Sequence, residues 1–257
     1  IDGTLLDDQS RISRLNLKAL QCCLENGLQV LLATGKSIHT ITEYIDMLGL
    51  TLPQITLNGG VIFQPQKGVI EAHTLEEKDY LDLVRAIKGY GLSPTSALAD
   101  GRVIYETYDP HMVHIQNAQV DLIQVEDMEQ PSIAKNAISV HTPIREDHPA
   151  DGYLREQFGS RFFIVRSGEY FFDFLKIGIN KGNALKKILA QQGIKRQEVV
   201  VLGDSFNDLS LFEVGGLSIA MSNSFPEVMA QADIVAGDNN HSGLGKAIFK
   251  YVLGKDV

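Results

Sequence analysis

Glu198-Val199-Val200-Val201-Leu202, followed at once by Gly203-Asp204-Ser205-Phe206-Asn207-Asp208, is the most informative stretch of the chain. An apolar run with no polar alternation reads as a strand covered on both faces of a parallel sheet. The two carboxylates and the amide that follow then lie just past its carboxyl end, where open parallel sheets bind their ligands. Around this stretch the pattern alternates. A helix is predicted over 183–192, another near 207–214, and a strand at Leu217 to Ala220. A helix near 225–231, a short strand at Asp233 to Val235 and a last helix near 243–253 complete that end. The N-terminal end repeats the grammar. Leu15, Ala19, Cys22, Cys23 and Leu24 fall close to helical spacing, with Ser13 as cap and Gly27 as terminator. Leu28-Gln29-Val30-Leu31-Leu32-Ala33 then reads as a second buried strand. Ser37 caps a helix that carries Ile38, Ile41, Ile45 and Leu48 and ends at Gly49, before a strand at Gln54 to Leu57. Strand, helix, strand in this order implies a right-handed parallel crossover.

The middle of the chain is different. Asp100-Gly101 sits between Ser96-Ala97-Leu98 and Val103-Ile104-Tyr105, a two-residue hairpin signal. Phe162 to Val165 and Tyr170 to Leu175 flank Ser167-Gly168 and suggest a second hairpin. Hairpins imply an antiparallel sheet. The fold class expected is therefore α/β, a Rossmann-like parallel core of residues 1–72 and 179–257 with an inserted α+β cap over 73–178. The 257 residues carry a net charge of −9, and the acidity belongs to the insert, with 17 acidic against 10 basic residues. That field would repel an anionic group brought against the insert.

Composition closes off other classes. Hydrophobic residues make up 44% and charged residues 21%, which excludes disorder and fibrous proteins. An acidic chain is a poor fit for gripping nucleic acid, and no apolar run approaches a membrane span. Cys22 and Cys23 are neighbours, a poor geometry for a disulfide, and read as reduced thiols. With no signal peptide visible, a cytoplasmic protein is expected, a monomer or small homo-oligomer.

Four motifs carry chemistry: Asp2-Gly3-Thr4-Leu5-Leu6, Ala33-Thr34-Gly35-Lys36-Ser37, Lys181-Gly182 and Gly203 to Asp208. Three lie at strand ends or at the next helix start, so they can converge on one crevice. Carboxylates with no His or Cys among them make a hard oxygen site suited to Mg²⁺. Backbone N–H groups around Thr34-Gly35 can cradle phosphate oxygens, and a lysine at a helix start adds a point charge. Gly35-Lys36-Ser37 imitates the end of a phosphate-loop ATPase motif, but the Gly required earlier is Val30.

These motifs, with Thr56-Leu57-Asn58-Gly59-Gly60 and Asn180-Lys181-Gly182-Asn183-Ala184-Leu185, resemble the haloacid dehalogenase superfamily, and within it the Cof-type sugar-phosphatase group. The resemblance runs end to end, though the insert matches in position and length more than in residues. It implies Mg²⁺-dependent hydrolysis of a small phosphomonoester through an aspartyl-phosphate, with a small phosphorylated metabolite as partner. A phosphomutase, a nucleotide phosphatase or a non-catalytic binding protein on the same fold are the alternatives. It implies that Asp2 is the general acid and base, with its carbonyl reaching the metal. Thr34, the Gly35 N–H, Asn58 and Asn207 would hold the phosphoryl group. Lys181 would steady nucleophile and phosphate, Asp204 would ligate Mg²⁺, and Asp208 would support or ligate it. The nucleophilic Asp belongs two positions ahead of Asp2. About five to ten residues, mostly apolar, are expected before Ile1, close to the usual length of the strand that should carry it. Lys36 stands where this group often has Arg, which keeps the charge and loses the bidentate fork.

Other residues read more plainly. His39, His73, His141, His148 and His241 show no metal spacing. His111 and His114, near Tyr108 and Met112, are surface or packed residues of the insert, with a substrate-facing role as the alternative. Asp173 and Lys176, just before the return to the core, could face the active site. Asn58-Gly59-Gly60 reads equally as a turn and as crevice lining.

Overall fold

The computed structural model of the chain describes residues 1–113, 120, 122–144, 148–167 and 171–255. His114 and the tip of the hairpin after Ser167 lie outside the described residues. The fold is α/β, and the chain divides into two compact units. One comprises Ile1–Ala33, Ile45–Gln54 and Lys181–Val257, the other Thr34–Tyr44 and Ile55–Asn180.

The first unit contains the parallel sheet. Val200–Gly203, Leu217–Ala220 and Ile234–Val235 pair in that order, all parallel. Between them run the helices Leu209–Phe212 and Pro226–Met229. The helix Arg14–Glu25 starts where Ser13 Oγ accepts the Asn16 N–H at 3.1 Å. Its buried positions Asn16, Ala19, Leu20 and Cys23 follow the i, i+3, i+4, i+7 stripe that an amphipathic helix requires. Asn16 is polar in that stripe because it is fully used. Its Nδ2 donates to the Leu5 carbonyl and its Oδ1 accepts from the Gly245 N–H, each at 2.9 Å. The final helix begins at Gly243–Ala247 and widens into a π turn over Ile248–Val252.

Leu28 to Ala33 departs from expectation. Beyond a single bridge at Ala33 it forms no ladder among the described residues, and Leu28 is 40% exposed. An apolar run specifies side chains, but a strand also needs a partner for its backbone. Here the Leu32 N–H donates instead to the Gln54 side-chain Oε1 at 2.7 Å.

The second unit is built on a six-stranded sheet, in the order Leu122–Gln124, Val103–Tyr105, Thr95–Leu98, Ala137–Pro143, Phe171–Lys176, Phe162–Ser167. All neighbours are antiparallel except the first two strands. Both expected hairpins are present. The first is closed by a three-residue loop rather than two, because the Leu98 N–H reaches the Arg102 carbonyl and Gly101 takes φ +89°. One sheet face is covered by the helices Glu77–Gly89, Pro131–Ala134 and Pro149–Phe158, with Leu83, Ile87, Val140, Leu154, Phe162 and Phe174 in the core between. Each such side chain, fully buried, contributes about 1.5–3 kcal/mol. On the other face Ala97, Val103 and Ile138 pack with Leu57 and Val61, next to the small sheet Gln54–Thr56, Val61–Gln64, Gly68–Ala72. The register sets Thr95, His141, Asp173 and Val165 in one row across four strands. Among the described residues no helix is long and apolar enough to cross a membrane.

Candidate active site

In the first unit, Lys181, Asp204 and Asp208 come together with Gly3 and Thr4. Lys181 opens its helix, and its Nζ donates to Asp208 Oδ1 at 2.7 Å with both side chains almost wholly buried. Asp208 Oδ2 accepts the backbone N–H groups of Asp204 and Ser205 at 3.0 and 3.1 Å. Burial would raise the Asp208 pKa, but the Lys181 ammonium and the backbone donors outweigh it and hold the carboxyl below its ordinary value. Both Asp208 oxygens are therefore engaged. They tie the Lys181 ammonium to the backbone at 204–205. Asp204 is treated in the opposite way. Burial, and then the charge of Asp208, push its pKa up to about 6. The Thr4 hydroxyl donates to Asp204 Oδ1. Gly3 sits at φ +65°, and a β-carbon there would run into the Asp204 carboxylate. Asp2 itself is exposed. Asn207 lies in the short 3-10 turn Phe206–Asp208 between the two aspartates.

No three His, Cys, Asp or Glu side chains gather as a ready metal cage among the described residues. The chemistry present still fits a hard cation. The donors are all oxygen, and Asp204 is a largely buried carboxylate whose charge the surrounding protein leaves undercompensated.

Three asparagines that sequence reasoning missed hold the N-terminal motif. Asn223 Nδ2 donates to the Gly3 carbonyl at 2.9 Å, Asn16 Nδ2 to Leu5 at 2.9 Å, and Asn239 Nδ2 to Leu6 at 3.0 Å. Each comes from a different part of the chain, so no local spacing announces them. Thr4 stands inside its motif, yet its hydroxyl's partner is 200 positions away.

Thr34, Gly35 and Asn58 belong to the second unit. The Thr34 N–H donates to the Ile55 carbonyl at 2.9 Å, and Thr34 Oγ1 accepts the Lys36 N–H at 3.1 Å. The Asn58 and Leu57 N–H groups donate to the Thr34 and Lys36 carbonyls, each at 3.0 Å. Asn58 Nδ2 donates to Asp173 Oδ2 at 2.8 Å. Asp173 Oδ1 meets His141 Nδ1 at 2.8 Å, and His141 Nε2 meets Ser139 Oγ at 2.8 Å. His141, which carried no metal spacing, is thus part of a polar chain ending on Asn58. Ser37 stands at the N-cap of the short turn Ile38–Thr40, but its hydroxyl makes no cap bond. His111 pairs through Nδ1 with Asp109 Oδ1 at 2.8 Å, and Lys176 with Glu76 at 2.7 Å.

The chain is similar over nearly its whole length to known proteins. The Escherichia coli pyridoxal phosphate phosphatase YbhA is 25% identical over 98% of this chain and 97% of its own. The Bacillus subtilis 5-amino-6-(5-phospho-D-ribitylamino)uracil phosphatase YitU is 26% identical over 98% and 95%. The subclass IIB sugar phosphatase BT4131 shares the fold, with a TM-score of 0.87, 23% identity and coverage of 98% of this chain and 96% of its own. Residues 1–248 match the model of the haloacid dehalogenase-like hydrolases, and the chain belongs to that family.

Proposed function

We propose that the protein is a cytoplasmic Mg²⁺-dependent phosphatase of small, sugar-phosphate-like phosphomonoesters, working through an aspartyl-phosphate. The observation that carries this is the unequal treatment of two nearby carboxylates. Asp208 is held ionised by Lys181 and two backbone amides, whereas burial and the charge of Asp208 outweigh what the Thr4 hydroxyl and Lys181 do for Asp204. A hard divalent cation supplies what Asp204 lacks. In this reading Asp204 and the carbonyl of Asp2 would hold Mg²⁺, which would supply polarisation of the phosphoryl oxygens. Lys181 fixes the backbone around Asp204 through Asp208 and brings positive charge to the phosphoryl group. Thr34, the Gly35 N–H, Asn58 and Asn207 grip the transferring group. The nucleophilic aspartate that the resemblance implies would take the phosphoryl group as the ester P–O bond breaks; Asp2, exposed and so able to meet a substrate, would give its proton to the leaving alcohol and then take one from the water that displaces the aspartyl carboxylate and releases phosphate. Residues 73–178 select the substrate, and 1–72 with 179–257 form the hydrolase core.

Two features bear on the substrate. Both named relatives act, by their names, on small phosphorylated compounds. Among the described residues of the acidic segment, bases are largely matched to its own acids: Arg85 and Lys88 to Glu106 and Glu129, Arg161 to Asp79 and Asp82, Lys176 to Glu76. Cations spent in this way are poorly placed to receive a second anionic group, so simple monoesters should be preferred over bisphosphates. A panel of phosphate esters on the full-length protein tests the reading. Hydrolysis should require Mg²⁺ and stop in EDTA; full turnover in chelator, with metal shown to be absent, would overturn it.

A further inference from the structure

Ser139, His141 and Asp173 have the connectivity of a nucleophilic triad, with both links at 2.8 Å. Ser139 is 1% exposed within the sheet, however, and cannot meet a substrate. The chain of hydrogen bonds leads the other way, to the amide of Asn58. We propose that Asp173, held by His141 and Ser139, is the positioning residue for Asn58, and that the grip of the Thr34-Gly35 turn on phosphate depends on it. The inference rests on the phosphatase reading above.

A carboxylate only accepts hydrogen bonds. The end of the Asn58 amide that faces Asp173 must therefore be nitrogen, and His141 Nδ1 must carry the proton it shares with Asp173. Turning the amide over would set Asn58 Oδ1 against a carboxylate oxygen. Asp173 thus decides the orientation of Asn58, and His141 and Ser139 decide that of Asp173. The rest of Asn58 is pressed onto the motif loop. Its N–H donates to the Thr34 carbonyl at 3.0 Å. A β-carbon on Gly35 would lie 3.1 Å from Asn58 Oδ1 and 3.3 Å from Nδ2. Leu57 and Asn58 take φ +46° and +55°, the left-handed region that non-glycine residues avoid. Such backbone persists where surrounding contacts enforce it, and here it is what carries Asn58 between Gly35 and Asp173.

The test uses the full-length protein, an aryl phosphate as substrate and orthophosphate as the binding probe. N58A and D173A should each raise KM and the orthophosphate dissociation constant about tenfold, and the double variant should be no worse than either single, since residues acting through one contact are non-additive. Loss approaching the product of the two, about a hundredfold, would show independent roles and overturn the proposal. D173N should stay within about threefold of wild type, because the introduced amide oxygen can accept from Asn58 while His141 adopts its other tautomer. D173N as deficient as D173A, at an unchanged melting temperature, would also overturn it. If D173A does not fold, the exchange N58D/D173N carries the test. It rebuilds both hydrogen bonds of residue 173, with donor and acceptor swapped between 58 and 173 and the bond from His141 unchanged, so it should melt near wild type yet bind orthophosphate more than about tenfold more weakly. Orthophosphate affinity retained in that exchange refutes the positioning role. A wild-type protein that neither hydrolyses esters nor binds orthophosphate would instead sink the phosphatase reading, and this inference with it. Turnover intact in wild type and in D173A would sink this inference alone.

Discussion

Lys181 and Asp208 face each other at 2.7 Å in near-complete burial, beside an Asp204 whose charge the protein leaves undercompensated. The hydrogen-bonded chain from Ser139 to Asn58 contains one carboxylate, Asp173, and its other members are hydroxyl, imidazole and amide. The first cluster is held by charge and the second by the direction of hydrogen bonds. Charges in a dry site interact strongly over several ångströms. Removing one should therefore change both stability and chemistry by large factors. Hydrogen-bond direction controls orientation only, and its loss should appear in affinity.

Lys181→Ala should press hardest on that distinction. It leaves Asp208 buried without its cation, an arrangement that costs about 3–5 kcal/mol in comparable cases. It should also lower kcat by about a hundredfold or more, since it removes a charge from a preorganised site. The two losses can be separated. Lys181→Met combined with Asp208→Asn removes both charges and keeps an acceptor for the Asp204 and Ser205 amides. Denaturant melts should show much of the stability regained while kcat stays low. Recovery of turnover in the double variant would mean that Lys181 serves the fold alone.

The two aspartates should answer pH in opposite senses. The Asp208 pKa is depressed, so its contribution is present above its unfolded value and fades as pH falls through the folded one. Asp204 is raised to about 6, so the native state holds that proton more tightly than the unfolded chain does. Without divalent cations, the contribution of Asp204 to stability should therefore fall as pH rises from about 4 to about 6, and its full cost, on the order of 3 kcal/mol, should persist at pH 7, a cost visible as the difference from Asp204→Asn. Asp204→Asn should remove that cost. In chelator at pH 7 the variant should melt above wild type while losing about a hundredfold in kcat. Added Mg²⁺ should raise the wild-type melting temperature and leave the variant unmoved. A wild type that melts at the same temperature with and without Mg²⁺ would contradict the role given to Asp204.

The contrast also explains what could be read from the sequence. Gly203 to Asp208 is local: a buried strand, a turn and two acids within six positions. Its element boundaries appear almost as expected, with the strand at Leu217–Ala220 in the expected place. The hairpins of the insert were legible for the same reason, since turn residues and alternation act over a few positions. Leu28 to Ala33 misled because side-chain pattern says nothing about backbone partners. Asn16, Asn223 and Asn239 were invisible because they bind carbonyl groups, which leave no mark on the sequence of their acceptor. Asp173 could be suspected from its place near the return to the core. Its hydrogen bond to Asn58 spans 115 positions and requires the six-stranded sheet to exist first.

Gly35→Ala is a smaller blow to the second cluster. The new methyl would sit 3.1 Å from Asn58 Oδ1, closer than ordinary contact. Asn58 could yield only by loosening its bond to Asp173. A rise in KM of about threefold to tenfold with kcat little changed is expected, because orientation is disturbed and no charge is lost. If kcat collapses while KM holds, the turn belongs with the charged cluster in its mode of action.

His111→Ala should have the smallest effect. His111 lies in the short turn Pro110–Met112, where its backbone N–H and its Nδ1 both meet Asp109 Oδ1, at 2.9 and 2.8 Å. The ring is about a third exposed, so its pairing with Asp109 is screened by water and contributes no more than about 1 kcal/mol. The backbone bond that caps the turn survives the substitution, because it does not involve the imidazole. Met112, the fully buried residue of the turn, also stays in place. The melting temperature should therefore move by a few degrees at most, and kcat on a small aryl phosphate should remain near wild type. The single quantity free to change is the ranking of substrates, since the turn lies in the segment proposed to choose them. A large fall in kcat for every ester alike would move His111 from substrate choice into the reaction itself.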